Sequence, residues 1–101
     1  MNVSVNHENG RARLSLKGRF DFTCHRGFKQ AYEDAFAGSN VSEIVVDMGD
    51  VEYLDSSALG MLLLLRDHAG GDSSNVLIVN CNPDVKKILA ISNFEQLFTI
   101  I

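Results

Sequence analysis

Apolar and polar residues alternate through the first twenty positions with the two-residue period of a β-strand that has one wet face. The apolar positions of this alternation are Val3, Val5, Ala12, Leu14 and Leu16. Asn9-Gly10, between the two alternating segments, is a favoured two-residue hairpin turn. The chain is therefore predicted to begin with an antiparallel hairpin.

From Cys24 the apolar positions recur with the period of an amphipathic helix. They are Phe28, Ala31, Tyr32, Ala35 and Phe36. Either Asp21 or Thr23 can cap the start of this helix, and Gly38 can end it.

Two short β-branched runs have no polar alternation, as expected of strands covered on both faces. They extend from Glu43 to Asp47 and from Val76 to Val79. Residues 48–55 are predicted to form a loop between the first of them and a second helix. Strands that alternate with helices indicate parallel crossovers.

The second helix is predicted from Ser56 to about His68, with Gly70-Gly71 as its stop. We assign Leu62 to Leu65 to core packing, because a helix that is apolar on most sides is usually buried against a sheet.

Asn82-Pro83 places a cap before a proline at the first position of a third helix. Phe98 to Ile101 can add a last short strand. The 101 residues therefore predict a single α/β domain with an open sheet of four to five strands and helices.

The formal charge is −4, and the lysines and arginines are scattered, so no basic face points to nucleic acid. No apolar run approaches the roughly 20 residues that span a bilayer, and the first residues lack a signal pattern. We expect a soluble, cytoplasmic protein that meets a protein partner rather than nucleic acid or a membrane.

The cysteines and histidines are isolated from one another along the chain. Cys24 and Cys81 form neither a metal knuckle nor a redox pair, and we interpret them as reduced structural thiols. His7, His25 and His68 are also unclustered, so no metal site is expected.

Ser56 stands where an acidic turn meets the start of the second helix. The free N–H groups and partial positive charge of a helix N-terminus suit a phosphate, so Ser56 can be a phosphoryl acceptor, but a serine there can equally be an ordinary helix cap. Asp21 and Asp55 can gather as a pair of carboxylates, or each can cap a helix.

The sequence does not favour an enzyme. His68 lies twelve residues along the same helix from Ser56, roughly 18 Å away, too far for a general base. His25 could approach from the first helix, but no nucleophile elbow surrounds Ser56. Neither a nucleotide phosphate loop nor a dinucleotide loop occurs, so we expect no cofactor.

Asp55-Ser56-Ser57-Ala58-Leu59-Gly60 resembles the D-S-[ST]-G-L-G signature of STAS domains, in particular bacterial anti-sigma factor antagonists. Gly18-Arg19-Phe20-Asp21 is similar to the G-x-x-D after the second strand of that family. The segments from Ile44 to Asp47 and from Asn82 to Leu89 resemble its central strand and third helix. The resemblance covers nearly the whole chain, 1–101, and implies the STAS fold with a mixed sheet.

The resemblance also implies a partner switch. Ser56 would be the phosphoacceptor of a serine kinase that is often itself the anti-sigma factor, and a PP2C-type phosphatase would remove the phosphate. The unphosphorylated form would bind the anti-sigma factor, and phosphorylation would release it. The docking surface would comprise Asp21, Asp55, Ser56, Ser57, Ala58 and Leu59, with Ser57 as a helix-start hydroxyl.

Two departures from the family pattern carry their own expectations. Ala58 replaces the usual glycine and would add a methyl group near the acceptor, which would narrow the choice of kinase. The sequence stops at Ile101, where family members usually continue into another helix, and an uncovered apolar end would favour weak self-association. The alternative function is a STAS scaffold or small-ligand sensor that is never phosphorylated.

Overall fold

A computed structural model describes residues 2–37 and 41–101. The strands are β1 (Asn2–Glu8), β2 (Arg11–Phe20), β3 (Glu43–Leu54), β4 (Val76–Val79) and β5 (Thr99–Ile100). The helices are α1 (His25–Phe36), α2 (Ser56–His68) and α3 (Pro83–Ile91), with 3₁₀ turns at Phe22–Cys24, Gly71–Ser73 and Phe94–Gln96. This order confirms the predicted alternation of strands and helices.

The five strands form one mixed sheet in the order β1-β2-β3-β4-β5. β1 and β2 are antiparallel, and the other neighbouring pairs are parallel. Asn9 and Gly10, at φ 50° and 79°, connect the hairpin with the two positive φ values that a tight turn of matching twist requires. The predicted hairpin and parallel crossovers are confirmed.

The predicted loop over residues 48–55 is wrong, because β3 continues to Leu54. Its second half pairs with the end of β2, from Lys17 opposite Asp50 to Phe20 opposite Leu54. Ladder hydrogen bonds to a ten-residue neighbour therefore outweigh the turn preference of Gly49 and Asp50. Two register shifts in this pairing break the two-residue period, which is why the sequence pattern did not reveal the strand.

All three helices pack on one face of the sheet. A single core joins residues of α1, α2 and α3 to the strands, and its members include Phe28, Leu62, Leu89, Leu14, Val46 and Ile78. Right-handed crossovers between strands that follow one another across the sheet place every helix on the same side.

The sheet face away from the helices explains one correction. Ile44, Val45 and Val46 are buried as predicted. In β4, however, Val76 and Ile78 are buried whereas the intervening residues, Leu77 and Val79, are only half-buried, so the prediction of a strand covered on both faces is wrong there.

The assignment of Leu62 to Leu65 to the core is half wrong. Leu62 and Leu65 are fully buried, whereas Leu63 and Leu64 are 38% and 47% exposed. Successive helical residues point about 100° apart, and only one side of α2 meets the sheet. The proposed end of α1 at Gly38 lies outside the described residues; the last helical residue is Phe36.

Candidate functional site

The site lies at the carboxyl ends of β2 and β3. Phe20 and Leu54, the last residues of these two strands, are paired, and the Asp55 N–H donates to the Phe20 carbonyl at 3.3 Å. Asp21 and Asp55 each follow directly after a paired strand end. The parallel sheet therefore brings together two acidic residues that are 34 positions apart in the sequence, as the carboxyl edge of an α/β sheet commonly does.

Asp21 caps the 3₁₀ turn that precedes α1. Its Oδ1 accepts hydrogen bonds from the Thr23 N–H at 3.0 Å and from the Thr23 hydroxyl. These hydrogen bonds, together with the positive charge of Arg19, hold the pKa of the Asp21 carboxyl below its ordinary value. Of the two roles that the sequence left open, Asp21 has a capping role, but for this turn and not for α1. The prediction that Asp21 or Thr23 caps α1 is wrong, because Cys24 precedes that helix and makes no side-chain capping hydrogen bond.

Asp55 caps α2. Its side chain accepts a hydrogen bond from the Ala58 N–H at 3.0 Å, which satisfies one of the free donors at the helix start. Each of the two carboxylates thus accepts a capping hydrogen bond.

Ser56 does not have the capping role that the sequence also allowed. It is the first helical residue of α2, after the Asp55 cap, and it is exposed. Within residues 2–37 and 41–101, no hydrogen bond of the Ser56 side chain is observed. The hydroxyl therefore faces solvent at a helix N-terminus without a structural task of its own.

The next three residues point in different directions. Ser57 is exposed, Ala58 is completely buried in the core, and Leu59 is partly buried against it. The expected effect of the Ala58 methyl group on kinase access is corrected, because the methyl group packs inside the protein. The Ala58 side chain is also withdrawn from any docking surface, whereas Ser56 and Ser57 remain accessible.

Two aromatic residues near Asp21 and Asp55 were missed by the sequence analysis. Phe22 is 71% exposed and Tyr53 is 41% exposed. The Arg19 guanidinium lies 4.4 Å from the centre of the Tyr53 ring, within the range of a cation–π contact. The signal that could have revealed them is their position in the sequence. Each stands within two residues of a capping aspartate at a strand end, where an aromatic side chain is not needed in the core.

No histidine hydrogen-bonds to Ser56 within the described part of the chain. His25 begins α1 and is exposed, and the described residues show no hydrogen bond from it to Ser56. The His68 ring lies at the other end of α2 against Tyr32 and Phe36, with both ring centres 5.1 Å away.

Both cysteines are free thiols. The Cys24 Sγ donates to the Arg19 carbonyl at 3.2 Å, and burial raises the pKa of the Cys81 thiol. Among the residues that the structure describes, no group of three or more His, Cys, Asp or Glu side chains could hold a metal ion. The helices within these same ranges are all too short or too polar to cross a membrane.

A family model described as "Mlab, STAS domain" matches residues 3–100. A STAS-domain containing protein of Pseudomonas aeruginosa (strain UCBPP-PA14) is 56% identical to this chain over 87 residues, which cover 86% of this chain and 84% of that protein. These matches extend over both the capping aspartates and the start of α2.

Solved structures share the fold at low sequence identity. An anti-sigma factor antagonist from Mycobacterium paratuberculosis has a TM-score of 0.85 at 21% identity, covering 98% of this chain and 83% of its own. The Bacillus cell fate determinant SpoIIAA in the phosphorylated form has a TM-score of 0.73 at 17% identity, with 99% and 91% covered. A sulfate transporter family protein from Wolinella succinogenes has a TM-score of 0.72 at 15% identity, with 89% and 76% covered.

At these identities the structures show a shared fold and not a shared function. The family model and the Pseudomonas relative establish the family as well as the fold, since they match the sequence over most of its length. The chain therefore belongs to the STAS-domain family.

Proposed function

We propose that this protein is a non-enzymatic switch of the anti-sigma factor antagonist type, with Ser56 as its phosphoacceptor. The unphosphorylated form binds an anti-sigma factor that is also a serine kinase, and phosphorylation of Ser56 releases it. A PP2C-type phosphatase returns the protein to the binding state. The antagonists that share its fold, including SpoIIAA in a phosphorylated form, support this choice of partner class.

The relation between Asp55 and Ser56 carries the proposal. Asp55 takes the capping hydrogen bond from the Ala58 N–H, so the exposed Ser56 hydroxyl is free to react. A serine hydroxyl held in a capping hydrogen bond is less available to a kinase than this one. The N-terminus of α2 would stabilise the added phosphate through its dipole and free N–H groups.

The surroundings of Ser56 supply the means of release. A phosphate adds about −1.5 to −2 charges beside the Asp55 carboxylate. Phe22 and Tyr53, which stand one and two residues from Asp21 and Asp55, are exposed aromatic groups of the kind that anchor protein interfaces. Charge placed among apolar contacts must lose its hydration when a partner binds, so phosphorylation weakens docking without a change of fold.

The test compares four variants as baits in a quantitative pull-down from a lysate of the source organism. Ser56→Ala and Ser56→Asp differ in charge at the proposed acceptor. Ser57→Ala and Ser57→Asp are matched controls, because Ser57 is the next residue of the same helix and is also exposed. A protein retained by Ser56→Ala and lost with Ser56→Asp, but retained by both Ser57 baits, is the expected result.

The retained protein is then purified and incubated with ATP and the wild-type chain. We expect the mass of one phosphate to be added to the wild-type chain and not to Ser56→Ala. Equal retention by both Ser56 baits would reject the charge switch and leave the unphosphorylated scaffold or ligand sensor as the function. Turnover of a substrate by the isolated chain, lost in Ser56→Ala, would instead reject the non-enzymatic assignment.

A further inference from the structure

Beyond Leu59, the outer surface of the α1–α2 pair is not used by the proposed switch. The two helices lie side by side, with the Tyr32 and Phe36 rings of α1 against the His68 ring of α2. They run in the same direction, because each connects neighbouring parallel strands on the same face of the sheet. Their starts therefore lie at one end of this surface and their ends at the other.

The middle of α2 exposes apolar surface. We define the apolar ridge as Gly60, Leu63 and Leu64, three exposed residues on one side of the helix. Leu63 is 38% exposed and Leu64 is 47% exposed. A side-chain carbon at Gly60 would have no heavy atom within 4 Å, so another surface could approach the helix closely there.

The charges of α1 are arranged against its helix dipole. Arg26 and Lys29 lie near its start, and Glu33 and Asp34 lie near its end, the reverse of the stabilising order. No ion pair within the described part of the chain involves any of these four side chains, although Gln30 donates to Asp34 at 2.9 Å. Asp67, exposed near the end of α2, adds to the acidic end.

The result is a surface that is basic at one end, apolar in the middle and acidic at the other end. An open groove of about 380 Å³ over α1 is lined by His25, Arg26 and Lys29 towards the basic end and by Gln30 and Glu33 towards the acidic end. Because this order of charges opposes the helix dipole, we interpret it as serving an interaction outside the isolated chain.

We propose that the occupant of this surface is a second copy of the chain, related by a twofold axis through the apolar ridge with the helices antiparallel. In that arrangement the two ridges meet, and the basic end of each copy faces the acidic end of the other. A twofold interface must be complementary to itself, and a polar–apolar–polar surface with opposite charges at its ends meets that condition.

Other charged groups near the two ends do not cancel this pattern. At the basic end, the Asp21 carboxylate lies 3.8 Å from the Arg19 guanidinium, and the Asp55 carboxylate accepts a hydrogen bond at the positive end of the α2 dipole. At the acidic end, Arg66 is turned to the other side of α2, where it pairs with Asp72 and donates to the Leu97 carbonyl. His68 is occupied by its contacts with Tyr32 and Phe36.

The interface is small, so the dimer is weak. The 12 residues of α1 extend about 18 Å, and two such helices side by side give less area than a stable complex buries. We expect a dissociation constant of about 100 μM, with monomer predominating at low micromolar concentration.

The proposed dimer does not depend on the proposed switch. One consequence for the dimer, however, rests on phosphorylation of Ser56. Ser56 and Ser57 stand at the basic end, opposite the partner copy's acidic end. A phosphate on Ser56 would therefore oppose dimer formation as well as partner docking, and Ser56→Asp is expected to weaken the dimer where Ser56→Ala leaves it unchanged.

Sedimentation velocity on the full chain from about 10 μM to about 1 mM tests the dimer. The first variant is Arg26→Glu/Lys29→Glu, which makes both ends acidic, and the second is Glu33→Lys/Asp34→Lys, which makes both ends basic. Each should be monomeric alone, with association weakened at least tenfold, whereas a 1:1 mixture should associate at least as tightly as the wild type. Lys86→Glu/Lys87→Glu, an equal charge change on exposed residues of α3, is the matched control and should associate normally.

Leu64→Lys should also weaken association at least tenfold while circular dichroism shows the native fold. A wild-type chain that stays monomeric at about 1 mM would overturn the proposal and leave this surface to a different protein. Failure of the folded 1:1 mixture to associate would overturn the antiparallel arrangement. Neither result would affect the proposal that Ser56 is the phosphoacceptor, because the pull-down tests that proposal with variants of Ser56 and Ser57.

Discussion

The Arg13 guanidinium donates to the Asp47 carboxylate at 2.7 Å, joining two neighbouring parallel strands on the sheet face away from the helices. Asp47 also accepts hydrogen bonds from the Gly49 N–H at 2.9 Å and from the Asn80 side chain at 3.2 Å. One carboxylate thus connects β2, β3 and the residue that follows β4. No helix among the described residues packs on this face of the sheet, so these hydrogen bonds help to align the central strands there.

This cluster predicts a pH-dependent contribution to stability. Burial by itself raises the pKa of Asp47, but hydrogen bonds from Arg13, Gly49 and Asn80 outweigh it, so its pKa lies below the ordinary value of 3.8. A carboxyl with a lowered pKa in the folded state stabilises the fold fully above its unfolded pKa and loses that contribution as the pH falls through its folded pKa.

Asp47→Asn should therefore reduce the free energy of unfolding by about 0.5–1 kcal/mol at pH 7, a modest value because both partners are partly exposed. The difference from the wild type should shrink as the pH falls below about 4, as measured by urea denaturation across pH. Asp50→Asn, an exposed acid of the same strand, is the control and should change little at pH 7. A difference independent of pH would contradict an ionic role for Asp47.

The second prediction separates capping from phosphorylation at the start of α2. Asp55→Ala removes the acceptor of the Ala58 N–H and should lower the free energy of unfolding by about 1 kcal/mol, whereas Asp55→Asn should largely preserve it. Ser56→Ala should change stability by less than about 0.5 kcal/mol, since the exposed side chain satisfies no described group. Chemical denaturation of the three variants measures these differences, and a loss of about 1 kcal/mol in Ser56→Ala would show that Ser56 shares the capping role.

The third prediction concerns the leucine run of α2. Leu62→Ala should destabilise the protein by about 2–5 kcal/mol, because it leaves a cavity in the core at a fully buried position. Leu64→Ala should cost less than about 1 kcal/mol, because that side chain is already 47% exposed. Thermal or urea unfolding at low micromolar concentration, where the monomer predominates, compares the two variants without a contribution from self-association. Similar losses in both variants would mean that Leu64 is buried in solution.

The sequence determined the order and type of the elements and the position of the family signature. Alternation placed the hairpin, helical periodicity placed α1, and the Asn82-Pro83 pair began α3, each a local property of consecutive residues. The same local information located Ser56 at the start of α2 but could not decide whether Ser56 or Asp55 was the cap. Both residue types accept the same hydrogen bond, and only the backbone geometry at Asp55 selects one of them.

The tertiary structure decided what depends on neighbours distant in the sequence. The second half of β3 exists because β2 pairs with it, although its own residues favour a turn. Ala58 and Leu62 are buried and Leu64 is exposed because all three helices lie on one side of the sheet, a consequence of strand order. Strand pairing likewise brings together the strand ends that Asp21 and Asp55 follow, and only the folded chain shows that Ser56 is exposed while Asp55 takes the capping hydrogen bond.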